Sequence, residues 1–168
     1  EINELQKVGG ASSERKDKGY SNAKKYPLSE HDTRLIIDKQ LREVGWEADT
    51  DNIRQSKGSL PEKGHNKAIA EWETESIVGK RGFVDYALFV GETMVGIIEA
   101  KKSHLDVSAV IDGQCKEYAS LIKKEDSEKY CIKEFGKYAV PFLYATNGRP
   151  YLKQLETKSG IWELDVRN

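Results

Sequence analysis

Cysteine is scarce in this 168-residue chain, with only Cys115 and Cys131. They form no CxxC, and no histidine stands near them at ligand spacing. That excludes a disulfide framework and a structural zinc site, and it fits a reducing cytoplasm. Apolar runs long enough to cross a bilayer are missing, as is a signal peptide, so no membrane role is expected. A surplus of positive charge is missing too: the formal net charge is −1. A nucleic-acid partner would have to be held by a local patch, not by the field of the whole chain. No Walker motif occurs, so ATP binding is not expected of these residues. The chain begins at Glu1 and not at Met, and is therefore expected to be a piece of something longer. What is present is 38% hydrophobic and 33% charged residues, enough core for one domain under a highly charged surface.

The pattern along the chain alternates helix and strand. Residues 1–26 are polar and rich in Gly, Ser and Lys, without a usable period, and read as an arm or loop. A domain is expected over 27–168. Its first helix starts at "LSEHDTR", with Ser29 as N-cap, Asp32 three residues on, an apolar stripe of Ile37, Leu41 and Val44, and Gly45 as the stop. A short strand fits 46–53, a loop 54–67, and an extended segment "AIAEWETE". Two strands follow at 83–90 and 94–101. A second amphipathic helix fits 107–123, with Asp106 as N-cap and a stripe of Val107, Ile111, Gln114, Tyr118 and Ile122. A weaker helix fits 127–135, a strand leads to a turn at Asn147-Gly148, and "GIWELDVRN" supplies a last strand. This order predicts an α/β fold with a mixed central sheet flanked by helices. Trp46, Trp72 and Trp162 read as core.

The stretch "FVDYALFVGETMVGIIEAKKSH" carries the chemistry. Its second strand is apolar on both faces, as in the centre of a sheet. Charge appears only where it ends, at Glu99 and Lys101, which share a face because side chains alternate. A two-residue turn at Gly91-Glu92 would set Asp85 opposite Ile98. A three-residue loop over 91–93 would set Asp85 opposite Glu99. The second register is expected, because two carboxylates in an apolar wall need a shared cation. Two carboxylates without His or Cys suit a hard cation such as Mg²⁺, with Mn²⁺ able to substitute. Lys101 would then hold the attacking water or steady charge on a scissile phosphate. The plainer alternative is a strand-end ion pair.

Gln114 and Tyr118, at i and i+4 on the second helix, should both point toward the hairpin's end. Glu30 is a candidate third metal ligand or a plain first-turn carboxylate. Arg34 could pair with it or reach a phosphate. Lys57, Lys63, Lys67, Lys80 and Arg81 lie in loops flanking Asp85 and are candidate contacts to a DNA backbone, or simply solvated. His31, His65 and His104 do not cluster and receive no ligand role.

Asp85, "EAK" at the strand end and "QCKEY" together resemble the PD-(D/E)xK nucleases of the RecB-like branch. "LSEHDTRLIIDKQLREVGW", "KGHNKAIAEWE", "VDYALFVG" and "PFLYATNGRPYLKQLETKSGIW" are similar to the N-terminal domain of the R (HsdR) subunit of type I restriction enzymes. Val84 stands where the superfamily has proline. The resemblance implies a restriction-endonuclease-like core, with Asp85 and Glu99 as metal ligands, Lys101 as the catalytic lysine, and Gln114 with Tyr118 as the auxiliary pair. It implies cleavage of double-stranded DNA, alongside methyltransferase and specificity subunits, in a bacterial or archaeal cytoplasm. ATP-driven translocation would lie farther along the same polypeptide. Two alternatives stay open: a nuclease-like DNA-binding or assembly module without activity, and a stand-alone repair or recombination nuclease.

Overall fold

A computed structural model describes residues 28–149 and 160–167, except Val78, Ser103, His104 and Asp106. The proposed arm over 1–26 and the proposed cap Asp106 lie outside the described residues.

Helix α1 spans Glu30–Glu43. Ser29 caps it as expected: its hydroxyl accepts from the Asp32 N–H, and Asp32 accepts from the Ser29 backbone, closing a capping box. Val44 and Gly45 end it, Gly45 taking φ +92 where a side chain would be strained. Of the expected stripe, Ile37 is buried and Leu41 half-buried, but Val44 is exposed. The helix is held instead by a buried polar link. Asp38 accepts the Tyr86 hydroxyl at 2.8 Å and the Thr50 N–H at 2.7 Å. A buried carboxylate costs little when its oxygens are hydrogen-bonded in this way.

The sheet has six strands in sequence order: β1 Glu47–Ala48, β2 Asn66–Ile77, β3 Lys80–Val90, β4 Thr93–Ala100, β5 Phe142–Thr146 and β6 Ile161–Asp165. The β1–β2 and β4–β5 pairs are parallel and the others antiparallel, so the sheet is mixed as expected. One face packs under α1 around Ile37, Tyr86, Leu88 and Ile98. The other packs under the second helix and holds Trp72, Phe89, Ile97 and Leu143. There Trp72, Phe89 and Tyr130 stack at tilted to edge-on angles, with ring centroids 4.9 to 5.8 Å apart.

The second helix, α2, has three parts: an α-helical start Ser108–Val110, a π-helical segment Ile111–Cys115 and an α-helical end Lys116–Ser120. Its buried residues Ile111, Cys115 and Ala119 step by four through the π segment. The expected stripe position Gln114 is therefore exposed. Helix α3 covers Lys124–Tyr130, earlier and shorter than the 127–135 expected. Trp72 is buried and Trp46 half-buried, whereas Trp162 on edge strand β6 is exposed and not core.

The hairpin register agrees with expectation, but its cause does not. Val90 pairs with Thr93, so the turn has two residues, with Gly91 at φ +60. The ladder then shifts by one: Phe89 pairs with Met94 and Leu88 with Gly96. Val95 is the extra residue of a β-bulge. Below it Tyr86 pairs with Ile98, the last pair of the ladder, so Asp85 and Glu99 are the next residue on each strand. A bulge, not an odd-length loop, aligns the two carboxylates.

Gly96 sits at this bulge because the sheet leaves no room for a side chain. A Cβ there would lie 2.7 Å from the Phe142 carbonyl oxygen of β5. Gly96→Ala is expected to destabilise the domain by about 1–3 kcal/mol, read as a lowered denaturant midpoint in urea.

Candidate active site

Past Tyr86–Ile98 the β3–β4 ladder ends, while β4 stays paired to β5 through Glu99–Ala145 and Ala100–Thr146. Asp85 occupies the fork. Its Oδ2 accepts the Ala100 N–H at 2.7 Å, so a side chain takes a backbone donor at the point where the strands part. Both β2 and β3 change face at this level. On β2, Ala70 packs on the α1 side but Trp72 on the α2 side; on β3, Tyr86 packs on the α1 side but Val84 on the α2 side. Strict alternation would keep each of these pairs on one face.

Glu99 is 5% exposed and its Oε1 accepts from Lys101 Nζ at 2.7 Å, as expected for residues two apart on one strand. Its other oxygen, Oε2, is buried and has no hydrogen-bond partner among the described residues. Burial first, and the neighbouring Asp85 charge second, push Glu99 up to about 7. Asp85 is also raised, mainly by burial, against the opposing pull of the Ala100 N–H and Arg34. Burial works against the Lys101 ammonium, but its hydrogen bond to Glu99 and the charges of Glu99 and Asp85 prevail, so its pKa is raised. Lys101 is therefore a cation at neutral pH.

Arg34, from the second turn of α1, places Nε 3.6 Å from Asp85 Oδ1 and donates through Nη1 to Glu71 Oε1 at 3.0 Å. It pairs with these residues and not with Glu30. Glu71 also accepts from Arg54. Glu30 is exposed at the start of α1, and its charge reaches Asp85, Glu99 and Lys101. Among the described residues no group of three or more His, Cys, Asp or Glu is placed to hold a metal. Tyr118 is half-buried beside Gly82 and feels the charges of Glu99, Lys101 and Asp85, so it faces the site. Gln114 does not join it. Of the basic residues, Lys57, Lys63, Lys80 and Arg81 are exposed, Arg81 near Glu73 at 3.4 Å, and Lys67 is tied to Glu62 at 2.6 Å. Lys57 ends a short 3-10 turn in the loop before β2, Lys67 lies at one end of the β2–β3 ribbon, and Lys80 and Arg81 lie at the other.

Residues 47–168 match the family model for the second domain of the type I restriction enzyme EcoKI endonuclease subunit. The chain belongs to that family. It is 40% identical over 163 residues to the type I restriction enzyme EcoKI endonuclease subunit of Escherichia coli (strain K12), a match taking in 84% of this chain and 14% of that protein. The chain thus spans a small part of its relative's length. No solved structure matches it. The restriction-endonuclease-like core expected of such a domain is what the forked mixed sheet and its flanking helices present. No helix among the described residues is long and apolar enough to cross a membrane.

Glu71 and Arg54 received no role from the sequence. Glu71 stands in the extended segment "AIAEWETE", and its meaning depends on the β2–β3 register, which brings it level with Asp85.

A buried carboxylate that takes up a proton on folding has a defined pH signature. With a chelator present, Glu99 is protonated more readily in the folded chain than in the unfolded one. The folded state binds the extra proton between about 4.5 and about 7, so stability falls as pH rises through that window. Glu99→Gln is expected to flatten this dependence and to raise the melting temperature at pH 8 by several degrees, measured by calorimetry in the presence of EDTA.

Proposed function

We propose that this domain hydrolyses DNA phosphodiester bonds as the cleavage domain of a type I restriction-modification complex, using Mg²⁺ or Mn²⁺ held by Asp85 and Glu99. The observation that carries the reading is a buried and a half-buried carboxylate at the sheet fork, the buried one with an oxygen that has no hydrogen-bond partner among the described residues, next to a charged lysine. Oxygen donors without His or Cys suit a hard divalent cation, and Glu99 Oε2 has the lone pairs for one. Such a cation would polarise a phosphate oxygen and make water more acidic.

The chain's own residues then have distinct tasks. Asp85 is fixed by the Ala100 N–H, which leaves Oδ1 as its remaining donor atom toward the site. Lys101, held by Glu99, steadies the negative charge that grows on the scissile phosphate and orients the attacking water. Its raised pKa suits a charged hydrogen-bond donor and not a general base. Tyr118 lines the same side. Glu30, exposed at the start of α1, adds negative charge that would draw a cation toward the pair, and would become a third ligand only by moving in. Gln114, one turn before Tyr118, and the exposed Lys57, Lys63, Lys80 and Arg81 would meet the DNA backbone, with Lys67 joining them by leaving Glu62. Methyltransferase and specificity subunits, and an ATP-driven motor elsewhere in the polypeptide, would supply recognition and translocation in the cytoplasm.

The test is plasmid cleavage by the full-length subunit in its complex. Asp85→Ala and Lys101→Ala should each lower divalent-dependent cleavage by at least ~100-fold while ATP hydrolysis continues. Cleavage at the wild-type rate by both variants would overturn the reading and leave a DNA-binding or assembly module.

A further inference from the structure

Glu71 is the unusual residue of β2. It is the one non-glycine residue with positive φ among the described residues, at φ 50, a conformation that persists where the surroundings impose it. It stands where β2 and β3 both change face, between the pairs Ala70–Tyr86 and Trp72–Val84. The turned backbone brings its carboxylate to two guanidinium groups from separate elements. Arg34 comes from α1, and Arg54 from the loop that runs beside β2, where the Ala70 N–H donates to the Ile53 carbonyl at 2.8 Å. The three side chains are 19–32% exposed, so water screens them only in part. Hydrogen bonds from both arginines outweigh burial and hold Glu71 below the usual carboxylate range, so it is charged.

The charge pattern gives the strained residue a purpose. Arg34 is shared: one edge lies against Glu71 and its Nε lies near Asp85. Asp85 and Glu99 feel the charge of Lys101, and Asp85 that of Arg34, while Arg54 reaches only Glu71. Without Glu71, Arg34 would be free to close on Asp85 Oδ1, with the unpaired Arg54 charge beside it. A divalent cation would then have to compete with a guanidinium for that oxygen.

We propose that Glu71 is a charge-balancing positioning residue: by holding Arg54 and drawing Arg34 partly off Asp85, it keeps the carboxylate pair able to bind a divalent cation that Glu71 itself does not touch. This rests on the cation-binding reading above and adds a residue and a role to it.

Calorimetric titration of Mn²⁺ into the full chain separates the possibilities. Glu71→Gln should weaken Mn²⁺ binding by ~10-fold or more, within the ordinary range of coupling between sites. The double variant Glu71→Gln with Arg54→Gln removes one charge of each sign and should return to within ~3-fold of wild type. A metal ligand would show no such rescue, and a purely structural ion pair would show the loss and its rescue in the melting temperature of the metal-free chain as well. Wild-type affinity in Glu71→Gln, or a double variant as weak as the single, would overturn the proposal. If Glu71→Gln does not fold, Arg54→Gln alone decides: it should tighten Mn²⁺ binding by ~3-fold or more, and an unchanged affinity counts against the role. Absence of Mn²⁺ binding by the wild-type chain would remove the cation reading itself, and this proposal with it.

Discussion

One hydrogen bond organises this domain: the Ala100 N–H donates to the Asp85 carboxylate. In a continuous antiparallel ladder backbone donors meet backbone carbonyls. Here a side chain takes the donor where β3 and β4 separate, while β4 remains bound to β5 through the Lys101 N–H and the Thr146 carbonyl at 2.8 Å. The fork is thus satisfied on both branches. It lies in a sheet whose neighbouring residues are apolar and buried. Asp85 and Glu99 are rigid because the strands that carry them are core.

The helices serve that fork. The Tyr86 hydroxyl, one residue from Asp85, holds α1 through Asp38 and also donates to the Arg34 carbonyl at 3.2 Å. That link fixes the height at which the Arg34 side chain reaches Asp85 and Glu71. On the opposite face, Cys115 of α2 donates to the Tyr144 carbonyl at 3.3 Å and packs beneath Glu99. Burial pushes its thiol up to about 12, so it stays neutral and adds apolar volume. The region is therefore dry enough to raise both carboxylates, against the opposing pull of Lys101 on both and of Arg34 on Asp85.

Much of this was legible in the sequence because it depends on short-range rules. The Ser29 cap, the Gly45 stop, the doubly apolar β4 and the Glu99–Lys101 spacing each follow from a few adjacent residues. The register that pairs Tyr86 with Ile98 was legible as well, and it makes Asp85 and Glu99 the next residue on each strand. The device that sets it was not: nothing in "TMVGII" distinguishes a regular strand from one with an extra residue at Val95. Gln114 was misplaced for a similar reason. A π turn looks like an α turn in composition, and it moves a residue off the buried face. Glu71 and Arg54 were hidden because their meaning lies in register and in a loop's path, which no local pattern encodes.

The central claim is that the fork brings Asp85 and Glu99 together as a cation pair. The most direct measurement is anomalous diffraction from crystals of the chain grown with Mn²⁺. The account predicts a manganese peak between an Asp85 carboxylate oxygen and Glu99 Oε2, with Tyr86 still paired to Ile98. A peak elsewhere with this fork empty, or a register that sets Asp85 against Ile98, would contradict it.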